Sequence, residues 1–374
     1  MATFVVAACD GSGRRAPGRL TGVSVSTGGA QSGSGSFGDP EPGDCVEEGL
    51  CGNEIHMLSF DVPNVYFILD RSGSMADPVE EGGDSRYKLV RGAMLGMVQS
   101  LGSLINVGAA LFPKGKTDTD PCKVGGQVFS VKPGDPITGS EGATTSALRQ
   151  ATNVTPKGGT PVSATLEALE TKLSTLEGRT IALLLTDGGP NCNAEAVCGI
   201  DECMPAMEGF CAVDDNCCED GAMEFGPTFC VDRPATVKAV EALHSAGIDV
   251  FVIGIPGSEY YGSVLDEMAL AGGVPQSGET KYHRVDDIDA LEQLFGGIAA
   301  DAISCEFVLQ DPPPTEDETN VYLDCDVLPL DPANGWTWKD EQTVVLNGSA
   351  CVDLKTGKVS QVQIVTGCPT EIPK

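Results

Sequence analysis

The stretch "VYFILDRSGSM", residues 65–75, runs five apolar or aromatic residues straight into Asp70 and then places hydroxyls at Ser72 and Ser74. Ordinary turns also use Asp, Ser and Gly, and a D-x-S-x-S string arises by chance in about one chain in ten of this length. The string therefore gains meaning only from its company. "KGGTP" sets Thr160 in a glycine-rich turn directly before Pro161, a residue suited to the first turn of a helix. "LLLTDGG" ends another apolar run on Asp187. Together these segments offer three hydroxyls and two carboxylates. An all-oxygen set suits a hard cation, Mg²⁺ first, with Mn²⁺ and Ca²⁺ as alternatives, and suits zinc or copper poorly.

Other chemistries lack their residues. A D-x-D phosphatase needs a second carboxylate where Ser72 stands. The chain has no G-x-x-x-x-G-K-[ST] phosphate loop and no G-x-S-x-G nucleophile elbow. Of the three histidines, His244 falls in an expected helix and His283 in an expected strand, and His56 is remote from both. A net charge of −31 excludes nucleic acid as a partner, since phosphates are repelled and no basic stripe releases counterions. It also disfavours anionic membrane surfaces.

The elements that must position these residues alternate along the chain. "VYFILD" (65–70), "NVGAALF" (106–112), "TIALLLTD" (180–187) and "IDVFVIGI" (248–255) are apolar nearly throughout, as parallel strands covered on both faces must be. Val162, Leu166, Leu169, Leu173 and Leu176 share one helical face, as do Ile288, Leu291, Leu294, Phe295, Ile298, Ala302 and Ile303. Further helices are expected over 86–103 and 235–246. The alternation predicts an α/β, doubly wound, mostly parallel sheet. In that fold the ligand site forms at the carboxyl ends of the strands, where Asp70, Ser72, Ser74, Thr160 and Asp187 all arrive.

The motifs D-R-S-G-S, G-G-T-P and T-D-G, in this order on this alternation, resemble a von Willebrand factor type A domain carrying a metal-ion-dependent adhesion site. The resemblance spans roughly residues 62–304. It implies that Ser72, Ser74 and Thr160 touch one divalent cation through hydroxyls. Asp70 and Asp187 would hold it directly or through waters, and an open coordination position would take a carboxylate from a protein partner. Neutral hydroxyl ligands leave the cation's charge under-neutralised, so it seeks an external anion. The resemblance implies metal-dependent adhesion or ligand binding without catalysis. An envelope scaffold or assembly factor is the first alternative, and a metal-dependent hydrolase the second. In the loop after the first motif, Asp77, Glu80, Glu81 and Asp84 could add an ion, but the expectation is a solvated acidic run. "VDDNC" (213–217) lacks full calcium-loop spacing.

Fifteen cysteines, with no C-x-x-C pair, argue for disulfides in an oxidising compartment rather than zinc. The odd count singles out Cys9. "FVVAAC", with Val6, Ala7 and Ala8 before the cysteine, resembles a bacterial lipobox, which implies a lipidated Cys9. The apolar stretch is shorter than the roughly 7–15 residues of a signal, and the expectation is a complete signal upstream. That predicts an extracytoplasmic lipoprotein, periplasmic or at the cell surface. The disulfide candidates are Cys45, Cys51, Cys122, Cys192, Cys198, Cys203, Cys211, Cys217, Cys218, Cys230, Cys305, Cys325, Cys351 and Cys368. The expected organisation is a lipobox-like start and Gly/Ser/Pro-rich tether over 1–44 and a Cys-containing lead-in over 45–61. The α/β domain follows over 62–304. Its insertion, 189–232, holds seven cysteines, ten acidic residues and no Lys or Arg. A β-rich module over 305–374 completes the chain; there Trp336 and Trp338 alternate on one strand face, chiefly for core packing.

Overall fold

The computed structural model describes residues 2–4, 58–60, 62–114, 120–137, 140–212, 215–221, 225–287, 290–309, 318–324, 326–359, 362–366 and 369–370. Cys9, Cys45, Cys51, Cys325 and Cys368, and the tether expected over 10–44, lie outside the described residues. So do Ile288 and the first two residues of "VDDNC".

Six strands form the central sheet: β1 (Asn64–Asp70), β2 (Asn106–Phe112), β3 (Gly126–Pro133), β4 (Thr180–Thr186), β5 (Ile248–Gly254) and β6 (His283–Arg284). Their spatial order is β3-β2-β1-β4-β5-β6. All neighbours are parallel except β3, which runs antiparallel to β2 at the edge. Helices α1 (Arg86–Leu101), α2 (Ala143–Ala151), α3 (Val162–Leu173), α4 (Arg233–Ser245), α5 (Gly262–Ala271) and α6 (Leu291–Ala302) connect them.

The apolar runs are sandwiched, as their composition requires. Every residue of β1 and of β4 is buried. Alternation along β1 sends Val65, Phe67 and Leu69 into one core with α1 and α6, where Phe67 meets Phe295 edge-on at 5.7 Å. Tyr66 and Ile68 enter the opposite core with α3, α4 and α5. The chain winds outward from β1 through β2 to β3 and, in the other direction, from β4 through β5 to β6. The switch of direction between β1 and β4 opens a crevice beyond their carboxyl ends, where ligands bind in this class of sheet. The fold is the doubly wound α/β arrangement expected from the sequence.

Several details differ from the sequence expectation. The helix expected over 86–103 ends at Leu101, and Gly102 (φ +48°) turns the chain out of it. The one expected to reach Leu176 ends at Leu173, with Leu176 packed in the turn beyond. The helix expected over 235–246 begins two residues earlier, at Arg233. Strand β3 and helices α2 and α5 were not anticipated.

The insertion between β4 and α4 contains only short helical turns around a core of Cys203, Cys218 and Cys230. Disulfides Cys198–Cys230, Cys203–Cys218 and Cys211–Cys217 staple it, and Cys122–Cys192 ties it to the loop before β3. These bridges join the seven cysteines of the insertion and Cys122 into four pairs. After α6 come two small antiparallel sheets. One has the order Ala2–Phe4, Leu58–Phe60, Glu306–Leu309, Thr343–Leu346, Trp336–Asp340; the other is Asp326–Val327, Thr319–Leu323, Val362–Thr366. A helix not foreseen in the sequence, Ser349–Lys355, is clamped by Cys305–Cys351. Phe307, Trp336 and Ile364 join the same apolar cluster as α1 and α6. Trp336 is fully buried, with Trp338 edge-on at 6.1 Å, so core packing accounts for the pair.

Candidate functional site

Three loops meet beyond the carboxyl ends of β1 and β4. The first leaves β1 at Asp70. A 3₁₀ turn at Ser74–Ala76 follows, pinned by Met75, which is fully buried. The second precedes α3. Its turn demands glycine twice: Gly158 takes φ +98°, and a Cβ on Gly159 would lie 2.5 Å from Cys192 Sγ. The third follows β4. Backbone bonds stitch them together: Gly73 N–H donates to Gly158 O (2.8 Å), Gly159 N–H to Pro121 O (2.9 Å) and Asn191 N–H to Thr160 O (3.0 Å). Asn191 Oδ1 in turn accepts from Thr160 N–H (2.7 Å). The disulfide Cys122–Cys192 closes this knot on its outer side.

All five residues singled out in the sequence line this knot. Asp70 is fully buried, and Ser72, Thr160 and Asp187 are also buried, while Ser74 is exposed. Asp70 Oδ1 accepts from Ser72 N–H (2.7 Å) and Oδ2 from Thr186 Oγ1 (2.6 Å). The Ser72 and Ser74 hydroxyl oxygens are 3.2 Å apart, and Ser74 Oγ donates to Asp187 Oδ1 (2.8 Å). Burial, with the negative charge of Asp187 added, pushes the Asp70 carboxyl up to about 7. Burial also raises Asp187, against the opposing pull of Ser74 and Arg86.

Two buried carboxylates facing each other require a counter-charge. In the protein alone Arg86 supplies it: Nη1 donates to Asp187 Oδ2 at 2.7 Å and to Ser74 O at 3.3 Å. The oxygen-only donor set and the mutual repulsion of the two carboxylates fit a hard divalent cation. Ser72, Ser74, Thr160, Asp70 and Asp187 are the residues that would hold it.

No family profile matches the sequence, and no curated protein matches it. Solved structures do resemble it. The pilus adhesin SpaC from Lactobacillus rhamnosus GG aligns with 83% of this chain and 40% of its own length, at 16% identity and a TM-score of 0.45. The PilB minor pilin from Streptococcus sanguinis aligns over 65% of this chain and 61% of its own, at 18% identity and a TM-score of 0.43. The vWF domain of the type V pili tip protein Mfa5 from Porphyromonas gingivalis aligns over 64% of this chain and 95% of its own, at 13% identity and a TM-score of 0.42. The chain thus spans less than two thirds of the length of the first two proteins.

Sequence reasoning missed three contributors. Arg86 opens α1, 101 positions from its partner Asp187, and nothing local marks it. Thr186 lies within the quoted "LLLTDGG" and Asn191 two residues beyond it, but their bonds to Asp70 and Thr160 are purely tertiary. The acidic residues Asp77, Glu80, Glu81 and Asp84 are exposed, and Asp84 pairs with Lys88 (2.7 Å). They sit on a small hairpin bridged at Pro78 and Ser85, a solvated loop as expected. Among the described residues, the His/Cys/Asp/Glu groups close enough to share an ion are cysteine triads whose sulfurs are already spent in disulfides.

Proposed function

We propose that this chain is an extracytoplasmic protein of the von Willebrand factor A type that binds a protein partner through a divalent cation, Mg²⁺ foremost. Asp70, Ser72, Ser74, Thr160 and Asp187 hold the cation, and the partner completes its coordination with a carboxylate. The observation that carries this reading is the convergence of two buried carboxylates and three hydroxyls, from three separate loops, at the switch point of the sheet. The bound cation supplies a charge centre that a partner's anion can reach; the protein's own groups fix its place.

The five disulfides among the described residues support an oxidising compartment. Among the described residues no helix is long and apolar enough to cross a membrane. Lipidation of Cys9 would serve as the anchor, Cys9 becoming the N-terminus and residues 1–8, with the edge strand Ala2–Phe4, being lost. An acyl mass on the N-terminal peptide tests that part. The binding function is tested by immobilising the protein and passing envelope extract over it in MgCl₂ or in EDTA. The expected result is a partner retained in MgCl₂, released by EDTA, and not held by Asp187→Ala. Capture indifferent to EDTA contradicts the proposal.

A further inference from the structure

The knot of loops forms the floor of a cleft of about 960 Å³. Ser72, Ser74, Thr160 and Asp187 line it, and so do Phe210, Phe229 and Tyr260. These rings are 70%, 40% and 72% exposed, and they are the exposed aromatic residues of the described chain. The chain has twenty aromatic residues in all, 12 Phe, 6 Tyr and 2 Trp. That every exposed ring among the described residues lies in one cleft, beside the only group of buried facing carboxylates described above, marks the wall as a contact surface. Scattered surface apolar residues would carry no such meaning.

The wall is held in place before any ligand arrives. Phe210 precedes Cys211 and Phe229 precedes Cys230, so two of the three rings are fixed at disulfides. Phe229 packs edge-on against Phe225 at 5.2 Å, and Thr228 O accepts from Cys192 N–H at 2.8 Å, joining the wall to the Thr160 turn. A preorganised apolar wall loses little on binding. Charge narrows the ligand further. The chain carries −31, and Asp77 and Glu208 also line the cleft, so an acidic run would be repelled. A single carboxylate among apolar or basic neighbours would not.

We propose that the disulfide-stapled insertion, together with Tyr260 from the turn after β5, is the specificity wall of this site. The cleft takes an extended protein segment presenting one Asp or Glu next to a bulky apolar side chain. The carboxylate goes to the hydroxyl and carboxylate end, and the apolar side chain lies on Phe210, Phe229 and Tyr260. This rests on the metal-site reading above.

The test uses the full chain and capped peptides in MgCl₂, read by calorimetry. The peptides are Gly-Phe-Asp-Gly, Gly-Gly-Asp-Gly, Gly-Phe-Asn-Gly and Gly-Phe-Asp-Asp-Asp-Gly. The Phe-Asp peptide should bind about tenfold more tightly than Gly-Asp, the scale of a truncated aromatic contact. The Asn peptide should not bind, and the triple-Asp peptide should bind more weakly than Phe-Asp. Phe210→Ala combined with Tyr260→Ala, both at exposed positions, should erase the preference while leaving the Mg²⁺ isotherm unchanged. Equal binding of Phe-Asp and Gly-Asp peptides, or a preference that survives the double variant, overturns the inference alone. A protein that binds no Mg²⁺ at all overturns the metal-site reading and this inference with it.

Discussion

Replacing Arg86 by alanine probes the electrostatics of the site directly. The guanidinium lies 2.7 Å from Asp187 Oδ2, the Asp187 side chain is fully buried, and the Arg86 side chain is only 19% exposed. Removing one partner of such a pair leaves a buried charge uncompensated, a loss of about 3–5 kcal/mol for full burial. Asp187 keeps its bond from Ser74 and Arg86 is partly solvated, so the lower end, about 3 kcal/mol, is expected. For a domain of this size that lowers Tm by about 6–12 °C. In Mg²⁺ the sign of the comparison reverses. Arg86 puts a positive charge beside the proposed cation site, and its removal leaves the buried Asp187 carboxylate without its ion-pair partner. Mg²⁺ should therefore bind Arg86→Ala at least about tenfold more tightly than wild type and recover most of the lost Tm. Arg86→Lys, which keeps the charge without the planar fork, should fall between the two. Thermal denaturation of each protein in EDTA and across an MgCl₂ series reads both quantities. An apo Tm unchanged by Arg86→Ala, or a variant that gains no more from Mg²⁺ than wild type does, refutes the reasoning.

Two further outcomes follow from the same geometry. The Asp70 carboxyl, raised from 3.8 to about 7 by burial and by Asp187, makes the apo protein's stability pH-dependent. Its contribution is fully present below about pH 4 and is lost as pH rises through about 7, on the order of 4 kcal/mol in all. Mg²⁺ must displace that proton, so the Tm gain from Mg²⁺ should grow between about pH 5 and 8; a gain constant with pH contradicts this. The disulfide Cys122–Cys192 spans 70 residues, worth about 4 kcal/mol of chain entropy, and it backs the Asn191–Thr160 bonds. Cys122→Ala with Cys192→Ala should lower Tm and weaken Mg²⁺ binding by more than about tenfold, and an unchanged Mg²⁺ isotherm would show that the disulfide does not position Thr160.

The sheet was legible because its inner strands are buried on both faces, which forces unbroken apolar runs such as "VYFIL" and "IALLL". Asp70 and Asp187, the candidate carboxylates, were legible for the complementary reason: they are polar groups that end such runs. Strand β3 was not, because "GQVFSVKP" lies at an edge, mostly half-exposed or exposed, with only Phe129 and its neighbours to hint at a core face. Helix α5 did carry a signal, in the spacing of Val264, Leu265 and Met268, which pack in the α3–α5 core. Disulfide pairing among eight clustered cysteines allows 105 connectivities, and no local rule selects one. Arg86 was invisible because its role depends on α1 beginning directly over the end of β4, a placement set by packing of the whole sheet. The shared placement of Phe210, Phe229 and Tyr260 in one cleft was equally hidden, since it arises only from the tertiary fold.

The most direct test of the central claim is a calorimetric Mg²⁺ titration of metal-stripped wild-type protein and of Thr160→Ala, with circular dichroism on both. Thr160 is only 4% exposed, yet it sits in a loop outside the apolar cores, and its truncation removes one hydroxyl and one methyl without opening a core cavity. The account predicts a single-site isotherm for wild type, its loss in Thr160→Ala, and superimposable spectra. Wild-type protein that binds no divalent cation, or a Thr160→Ala protein whose isotherm matches wild type, would contradict it.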